Sequence, residues 1–300
     1  EPELITDSDI YYLLSKHIDK INLLSITYKR NPVEAIKSMK TFFDRLRDDL
    51  VDHDDLVQKL KILKNEIDYN DVDSVERCNQ LEDSINIFPL FQKWKKDNNQ
   101  LDFGDMILNM WNLINNNSKV LQKLRKRYKH IIIDEFQDNN YALSKIINKV
   151  AYPNNSITVV GDDDQSIYSF RGANIHNIHD FKKKYEKIKN YKKIDLMKNY
   201  RSNQSILDIA NSVIEKNTSR LDKGKLSSGI RGKKTPTLFV GDKDSQINFI
   251  CDKIINSINT FKSLNEIAIL CRTNSQCEKI RYFLTSRGIP VKYRNDKLFE

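Results

Sequence analysis

The sequence is short of the features that mark membrane proteins, disulfide frameworks and metal sites. No apolar run approaches the roughly 18 residues of a membrane span, and no signal peptide opens the chain. Its four cysteines show no metal-ligand spacing, which favours reduced thiols in a cytosolic protein. Glu1 stands where a natural protein would begin with methionine, so we expect the natural start to lie upstream. These features favour a cytoplasmic protein with no membrane partner.

What the sequence does have is length and positive charge. Three hundred residues normally make more than one domain and bury a sizeable core. Lysine and arginine outnumber aspartate and glutamate by 50 to 41, which gives a net charge of +9. That surplus favours a polyanionic partner such as nucleic acid, although many basic proteins bind none.

The first hundred residues have the spacing of amphipathic helices. Apolar side chains recur at helical intervals between Ile10 and Leu24. Asn31, Pro32 and Glu34 match an N-cap, a first-turn proline and a capping-box glutamate. The helix that they start is predicted to bury Val33, Ile36, Met39, Phe43, Leu46 and Leu50. Nothing in this region resembles a catalytic site.

An α/β pattern follows residue 100. After an amphipathic helix over residues 103–113, two short apolar runs at 131–133 and 157–160 flank a further predicted helix. Strand, helix and strand in that order predict a parallel unit. Each run ends abruptly in acidic residues. Because ligands of open α/β sheets bind at the carboxyl ends of the strands, these two acidic turns form the predicted site.

A second α/β region is predicted after Leu196. Strands are expected at residues 238–240, 267–270 and 289–293. Helices are expected at residues 246–259 and 276–286. Residues 224–234 are rich in glycine, lysine and serine, so we expect them to form a mobile loop.

The first acidic turn carries two adjacent carboxylates, Asp134 and Glu135. In nucleotide hydrolases this layout lets the aspartate hold Mg²⁺ while the glutamate orients or deprotonates the attacking water. An apolar run followed by Asp-Glu also occurs in ordinary turns, so the pair alone does not decide the function.

Three ordered segments point to a family. Residues 134–138 (DEFQD), 161–173 (GDDDQSIYSFRGA) and 199–202 (NYRS) closely resemble motifs II, III and IV of the UvrD/Rep/PcrA helicases of superfamily 1A. Residues 101–105 and 272–276 also resemble family segments. In the first hundred residues the resemblance rests on position and helical character. It implies incomplete RecA-like P-loop NTPase motor domains of α/β class with a helical 1B-type insertion.

The resemblance also implies a domain organisation. Residues 1–98 would be the helical 1B-like subdomain, residues 99–195 the later part of the first RecA-like domain, and residues 196–300 the start of the second. The phosphate-binding loop G-x-x-x-x-G-K-[ST] does not occur in the chain, and neither do the later family motifs V and VI. We therefore expect this chain to be an internal part of a longer helicase. The chain by itself is expected to hydrolyse ATP negligibly. A degenerate relative is the alternative.

The resemblance assigns roles in a site for ATP and Mg²⁺. Asp134 and Glu135 would hold the metal, and Glu135 would also be the catalytic base. Gln165 would sense the γ-phosphate, and Arg201 would be an arginine finger in hydrolysis as well as a nucleotide ligand. Tyr200 would stack on the adenine. Without the other motifs, Tyr200 and Arg201 would be interpreted as a surface turn.

The resemblance further implies a binding site for single-stranded DNA. Tyr168, Phe170 and Arg171 combine two aromatic faces with a cation, which suits stacking of unpaired bases of any sequence. Many relatives have tryptophan at the position of Phe170, and packing of Phe170 in the core is the alternative. Arg272 and Asn274 would contact backbone phosphates, with a plain turn as the alternative.

The parent protein is accordingly predicted to be an ATP-dependent 3′-to-5′ translocase and helicase, cytoplasmic and associated with DNA. Its expected partners are single strands and junctions of single with double strands, together with unnamed repair or replication proteins. Two other hypotheses remain open. The chain would belong to an AddA/RecB-type helicase–nuclease if a nuclease domain followed it. It would be a non-catalytic nucleic-acid-binding scaffold if the gene encoded no phosphate-binding loop.

Overall fold

The chain divides into two compact units. The computed structural model describes residues 1–154, 156–169, 172–173, 176–218, 220–230, 236–257 and 263–292. The first unit comprises Glu1–Asp195 and Ile214–Gly224, and the second comprises Leu196–Val213 and Lys225–Glu300. No described helix is long and apolar enough to cross a membrane.

The first unit begins with a short strand and five helices. They are β1 (Glu3–Leu4), α1 (Asp7–Ile18), α2 (Ile26–Arg30), α3 (Pro32–Asp48), α4 (His53–Glu66) and α5 (Val72–Asp97). Asn31 caps α3 by accepting a hydrogen bond from the backbone N of Glu34 at 3.2 Å, and Pro32 occupies the first turn, as predicted. The capping-box prediction for Glu34 is wrong, because the backbone N of Asn31 donates instead to the backbone O of Thr27 at 2.9 Å. Apolar faces of α1, α3 and α5 meet in the largest core cluster of this unit.

Two of the core positions predicted for α3 are wrong. Val33, in the first turn, is 63% exposed. Leu50 is only half-buried, because the helix ends at Asp48 and Leu50 has left the helical path with φ of 52°. The other predicted positions of this helix are buried. Helical periodicity therefore locates the core face and fails at the two ends of the helix.

The chain returns beside β1 after α5. The strand β2 (Gln100–Leu101) pairs in parallel with β1, and α6 (Phe103–Asn116) and α7 (Ser118–Arg127) follow. The apolar face predicted for α6 is partly wrong, because Phe103, Met106 and Leu113 are exposed. The helix instead turns Asp105 inwards, where it forms ion pairs with two buried cations of α3 and α5.

The predicted parallel strand–helix–strand unit is confirmed. The strand β3 (Ile131–Ile133) pairs in parallel with β4 (Ile157–Val159), and α8 (Tyr141–Ala151) connects them. The helix α9 (His176–Tyr185) follows, and its Phe181 ring meets that of Phe136, just beyond β3, edge-on at 5.5 Å. Residues 1–98 and 99–195 lie in one unit, and α3 packs against both α6 and α8. The boundary at residue 98 thus stays a prediction.

The second unit contains a parallel strand pair and three helices. They are β5 (Lys198–Asn199), α10 (Gln204–Ile214), β6 (Ser227–Ser228), α11 (Lys243–Ser257) and α12 (Asn274–Ser286). Its core is formed by Ile247, Cys251 and Ile254 of α11 together with Leu284 and Ile289. The two helices predicted here by periodicity are present with earlier starts, and residues 258–259 lie outside the described residues.

Three strand predictions in this unit are not met. Within the described residues, segments 238–240, 267–270 and 289–292 belong to no strand, and residue 293 lies outside them. Leu238 and Val240 are 88% and 83% exposed. An apolar run carries a propensity for strand, but a strand forms only where a neighbour completes its hydrogen bonds. The expected mobile loop at 224–234 is also partly wrong, because β6 lies within it, while residues 231–234 lie outside the described residues.

Candidate functional site

The carboxylates predicted to bind Mg²⁺ lie at the exit of β3. Asp134 and Glu135 are both exposed, so their oxygens are accessible to a hard cation, which prefers such ligands. Glu135 adopts the left-handed conformation, with φ of 49° and ψ of 46°. For a residue other than glycine this conformation costs about 1–2 kcal/mol. Such strain clusters at functional sites, and here it sets the direction of the Glu135 side chain.

Hydrogen bonds join this turn to the one that follows β4. The buried Gln137 donates through Nε2 to Glu135 Oε2 at 2.8 Å. Its Oε1 accepts from the backbone N of Asp162 at 3.0 Å. Gln165 then donates through Nε2 to Asp162 Oδ2 at 2.8 Å. Glu135 and Gln165, which the sequence predicted as catalytic, are therefore connected through two intermediate residues.

A glycine allows this close approach of the two turns. A Cβ on Gly161 would lie 2.7 Å from Gln137 Oε1 and 3.3 Å from the backbone N of Phe136. Both distances are shorter than ordinary van der Waals contacts. Any larger residue at Gly161 would therefore push Gln137 away from Asp162.

Three carboxylates follow β4 side by side. Oxygens of Asp162, Asp163 and Asp164 lie within 4.8 Å of one another, a grouping that could in principle hold a metal ion. Two cations already occupy its surroundings. Lys223 Nζ contacts all three carboxylates, at 2.5 Å from Asp163 and 2.9 Å from Asp164, and Arg220 Nη2 lies 2.7 Å from Asp164. These cations offset two of the three negative charges, so the cluster is a poorer site for Mg²⁺ than the exposed Asp134 and Glu135.

The electrostatics of the cluster keep Asp162 charged. Burial alone would raise the pKa of Asp162, but hydrogen bonds from Lys223 and Gln165 outweigh burial and lower that pKa. Burial opposes a charge on Lys223 as well, yet its carboxylate partners raise the pKa of its ammonium group. Both partners are ionised at neutral pH, so the contact is a true ion pair.

The segment predicted to stack on DNA bases is held by α3. Arg45 donates to the backbone oxygen of Ser169. Gly172 has φ of 91°, and a Cβ there would collide with the Asp48 carboxylate. Tyr168 is 37% exposed at the start of this segment. The other two predicted stacking residues, Phe170 and Arg171, lie outside the described residues.

Tyr200 and Arg201 share one turn of the second unit. The Asn199 side-chain oxygen accepts hydrogen bonds from the backbone N of Arg201 at 2.9 Å and of Ser202 at 2.7 Å. This Asx turn leaves the Tyr200 ring 76% exposed, with Lys198 Nζ 5.2 Å from the ring centroid. An exposed ring beside two cations has the chemistry to bind a nucleobase and its phosphates.

Arg272 and Asn274 lie at the start of α12. Thr273 caps this helix, and Gln276 Oε1 accepts from the backbone N of Arg272 and of Thr273, each at 3.1 Å. Both predicted residues are exposed, and Arg272 follows a segment without regular secondary structure rather than the strand that the sequence predicted. A capped helix N-terminus with an adjacent arginine suits contact with a phosphate.

Comparison with known proteins decides the family. Residues 3–186 match the UvrD/REP helicase N-terminal domain, and residues 194–300 match the UvrD-like helicase C-terminal domain. The chain belongs to the UvrD-like helicase family. This membership brings with it a RecA-like α/β motor fold, with which the helix-rich units and their small parallel sheets agree.

Several bacterial relatives of this UvrD-like helicase chain are considerably longer. A probable DNA helicase II homolog of Mycoplasma capricolum subsp. capricolum is 30% identical over 304 residues, which is 99% of this chain and 39% of the relative. DNA helicase II of Haemophilus influenzae is 32% identical over 72% of this chain and 29% of its own length. ATP-dependent DNA helicase PcrA of Staphylococcus aureus is 32% identical over 68% of this chain and 28% of its own length. The chain therefore spans well under half of each relative.

In this UvrD-like chain, some site residues escaped sequence analysis. Gln137 and Asp162 stand inside quoted motifs, yet nothing in the motifs reveals that they contact each other. Lys223 and Arg220 carry no signal at all, because they lie 61 and 56 residues along the chain from the aspartates that they contact. The roles of the predicted nucleotide and DNA ligands remain predictions.

Proposed function

We propose that this chain is part of an ATP-dependent DNA helicase that moves 3′-to-5′ along single-stranded DNA. The observation that carries the proposal is the hydrogen-bonded series Glu135, Gln137, Asp162 and Gln165 at the ends of β3 and β4. It joins a candidate base for hydrolysis to a candidate γ-phosphate sensor. Family membership and the names of the long relatives support the same function.

The nucleotide site would comprise metal ligands, a catalytic base and nucleotide ligands. Asp134, with Glu135, would hold Mg²⁺, and the metal would neutralise charge on the phosphates when bound. Gln137 orients the Glu135 carboxylate by holding one of its oxygens, so that Glu135 can accept a proton from water. Gln165 would contact the γ-phosphate, while Arg201 and Tyr200 would bind the phosphates and the adenine.

The DNA site would combine stacking with phosphate contacts. Tyr168 and Phe170 would stack on unpaired bases, with Arg171 beside them, and Arg272 and Asn274 would bind backbone phosphates. We expect single strands and single/double-strand junctions to be the substrates, in a cytoplasmic, DNA-associated protein that serves repair or replication.

We further propose RecA-like motor domains with a helical 1B-type insertion. The parallel pairing of Glu3 with Gln100 supports the insertion, because it brings the two ends of the helical segment together. The domains would be residues 1–98, 99–195 and 196–300. A single excursion, residues 5–99, that returns beside the strand from which it started is what an insertion into an α/β domain requires.

The direct test is Glu135→Gln in the complete helicase. The amide keeps the shape of the side chain and loses its basicity, so turnover should fall by about 10²- to 10⁴-fold while ATP binding persists. Glu186→Gln, at an exposed glutamate of the same unit, is the matched control and should change neither quantity. Turnover in Glu135→Gln equal to that of the parent would refute the assignment. Binding of ATP and DNA by the parent without any turnover would instead favour the scaffold.

A further inference from the structure

One short segment of the first unit lies, in the sequence, between two parts of the second unit. Residues Ile214–Gly224 belong to the first unit, whereas the residues on both sides of them belong to the second. Within it, residues 220–223, which we term the strap, lie on the turn that follows β4. The backbone N of Leu221 donates to Asp163 Oδ2 at 2.6 Å, and Arg220 and Lys223 add their ion pairs. Backbone and side-chain contacts therefore fix the strap to the turn.

The strap and the candidate phosphate sensor share one carboxylate. Asp162 Oδ2 accepts from Gln165 at 2.8 Å, while Asp162 Oδ1 accepts from Lys223. Because a carboxylate is planar and rigid, holding one oxygen fixes the direction of the other. The position of Lys223 therefore determines where the Gln165 amide is anchored.

Lys223 and Arg220 also stabilise the conformation of the turn that follows β4. Asp163–Gln165 form one turn of 3₁₀ helix, with three adjacent carboxylates crowded together. Like charges this close repel one another unless cations neutralise them. The Asp163 side chain is only 2% exposed, so water screens it little. Lys223 and Arg220 supply the neutralisation that water does not.

We propose that Lys223 and Arg220 are positioning residues that hold the turn after β4, and with it Gln165, in the geometry that ATP hydrolysis needs. The proposal rests on the proposed function of Gln165 in the nucleotide site. Neither cation touches the nucleotide in this scheme. Each acts through the carboxylates of the turn, so its removal should impair the chemical step more than the binding of ATP.

A double-mutant cycle in the complete helicase tests this coupling. Lys223→Ala should lower the kcat of DNA-stimulated ATP hydrolysis by about tenfold, the size of coupling that contacting residues commonly show, with little change in KM. In a Gln165→Ala background the same substitution should have almost no further effect. Lys223→Arg should restore part of the loss, because it keeps the charge. Lys216→Ala, at an exposed lysine of the same segment, is the matched control and should leave turnover unchanged.

Limited proteolysis of the same proteins tests the docking of the strap without reference to catalysis. Trypsin must take Arg220 or Lys223 into its own pocket, which their ion pairs prevent. Cleavage after these residues should therefore be much slower than after Lys216, and Asp163→Asn should accelerate it. Mass spectrometry would identify the cut sites, and Asp163→Asn should keep the parent's circular dichroism.

The outcomes separate the two proposals. Normal turnover in Gln165→Ala would refute the proposed role of Gln165 and, with it, the coupling. Impaired turnover in Gln165→Ala combined with independent, multiplicative effects of Lys223→Ala would refute the inference alone. Cleavage after Lys223 as fast as after Lys216 in the parent would also refute it, because the strap would then not be docked.

Discussion

Two ionic clusters in the first unit differ in burial and in what they contact. In the helix cluster, Arg47 of α3 and Lys95 of α5 pair with Asp102 and Asp105 at 2.5 to 3.0 Å, and none of the four is more than 6% exposed. In the turn cluster, Asp162–Asp164 meet Lys223 and Arg220, and the Asp162 side chain is 32% exposed. The first joins three helices, whereas the second touches the candidate catalytic turn.

The difference separates structural ion pairs from positioning ones. In the helix cluster, burial alone would raise the pKa of Asp102, but Arg47 and Lys95 outweigh burial and lower that pKa to about 2. Removing one partner there leaves a buried charge without compensation, which is strongly destabilising. In the turn cluster Asp163 is buried, but Lys223 is 19% and Asp162 32% exposed, and the backbone N of Leu221 also holds Asp163. Water and that backbone group can replace part of a lost contact, so the geometry of the turn suffers more than its stability. We therefore expect substitutions in the helix cluster to change mainly the free energy of unfolding, and substitutions in the turn cluster to change mainly the rate of ATP turnover.

The largest predicted loss of stability follows removal of Arg47. Arg47→Ala should lower the free energy of unfolding of the first unit by about 3–5 kcal/mol, because Asp102 and Asp105 keep only one cation. Both tryptophans, Trp94 and Trp111, lie in this unit, so their fluorescence during urea unfolding measures it. The exposed Arg30→Ala is the control and should change little. A loss below about 1 kcal/mol would place Arg47 among ordinary surface ion pairs.

A smaller loss is expected when the same cluster is disturbed through its backbone. A Cβ on Gly104 would lie 2.6 Å from Arg47 Cζ, so Gly104→Ala must displace the buried guanidinium. Glycine to alanine in a helix normally stabilises by roughly 1 kcal/mol. We expect the opposite sign here, a net loss of about 1–3 kcal/mol in the same unfolding measurement. Stabilisation by Gly104→Ala would mean that the cluster tolerates displacement. The exposed Arg30→Ala, in the same unit, is again the control.

The contrast also shows which features a sequence reveals. Amphipathic periodicity predicted α3 with its cap, and two apolar runs predicted the parallel pair β3 and β4, because such patterns reflect local geometry. Motifs predicted Glu135 and Gln165 as functional. The partners of charges were not predictable, because Lys95 lies in a polar helix end and Lys223 is distant along the chain from Asp162. The strands expected at 238–240 and 267–270 failed for the same reason: strand pairing depends on a non-local partner.

For the turn cluster we expect a small effect on stability. Lys223→Ala should lower the free energy of unfolding by about 1–2 kcal/mol, less than Arg47→Ala, because Lys223 is 19% and Asp162 32% exposed and the buried Asp163 keeps its hydrogen bond from the backbone N of Leu221. Lys216→Ala is again the matched control. The same fluorescence measurement applies, since Lys223 lies in the first unit. A loss as large as that of Arg47→Ala would remove the distinction between the two clusters.

The smallest effect concerns Asp48, at the end of α3 beside the segment predicted to stack on DNA. Burial raises the pKa of Asp48 from its ordinary value near 3.8 to about 6, although a hydrogen bond from Asn140 Nδ2 at 2.6 Å opposes the shift. The folded protein thus binds this proton more tightly than the unfolded chain does. The contribution of protonated Asp48 to the stability of the folded protein is complete below about pH 4 and is lost as the pH rises through about 6.

Asp48→Asn should therefore remove that pH dependence. The amide keeps an oxygen for Asn140 and carries no charge, so the variant should gain up to about 1 kcal/mol relative to the parent between pH 4.5 and pH 7, after allowance for solvent screening. Urea unfolding of both proteins at the two pH values measures the gain, with the exposed Asp19→Asn as control. An equal response of parent and Asp48→Asn to pH would mean that water reaches Asp48 freely. In that case only the hydrogen bond from Arg45 and the close approach of Gly172 would join the end of α3 to the segment predicted to stack on DNA. The Asp48 carboxylate would be hydrated and would not contribute through its burial.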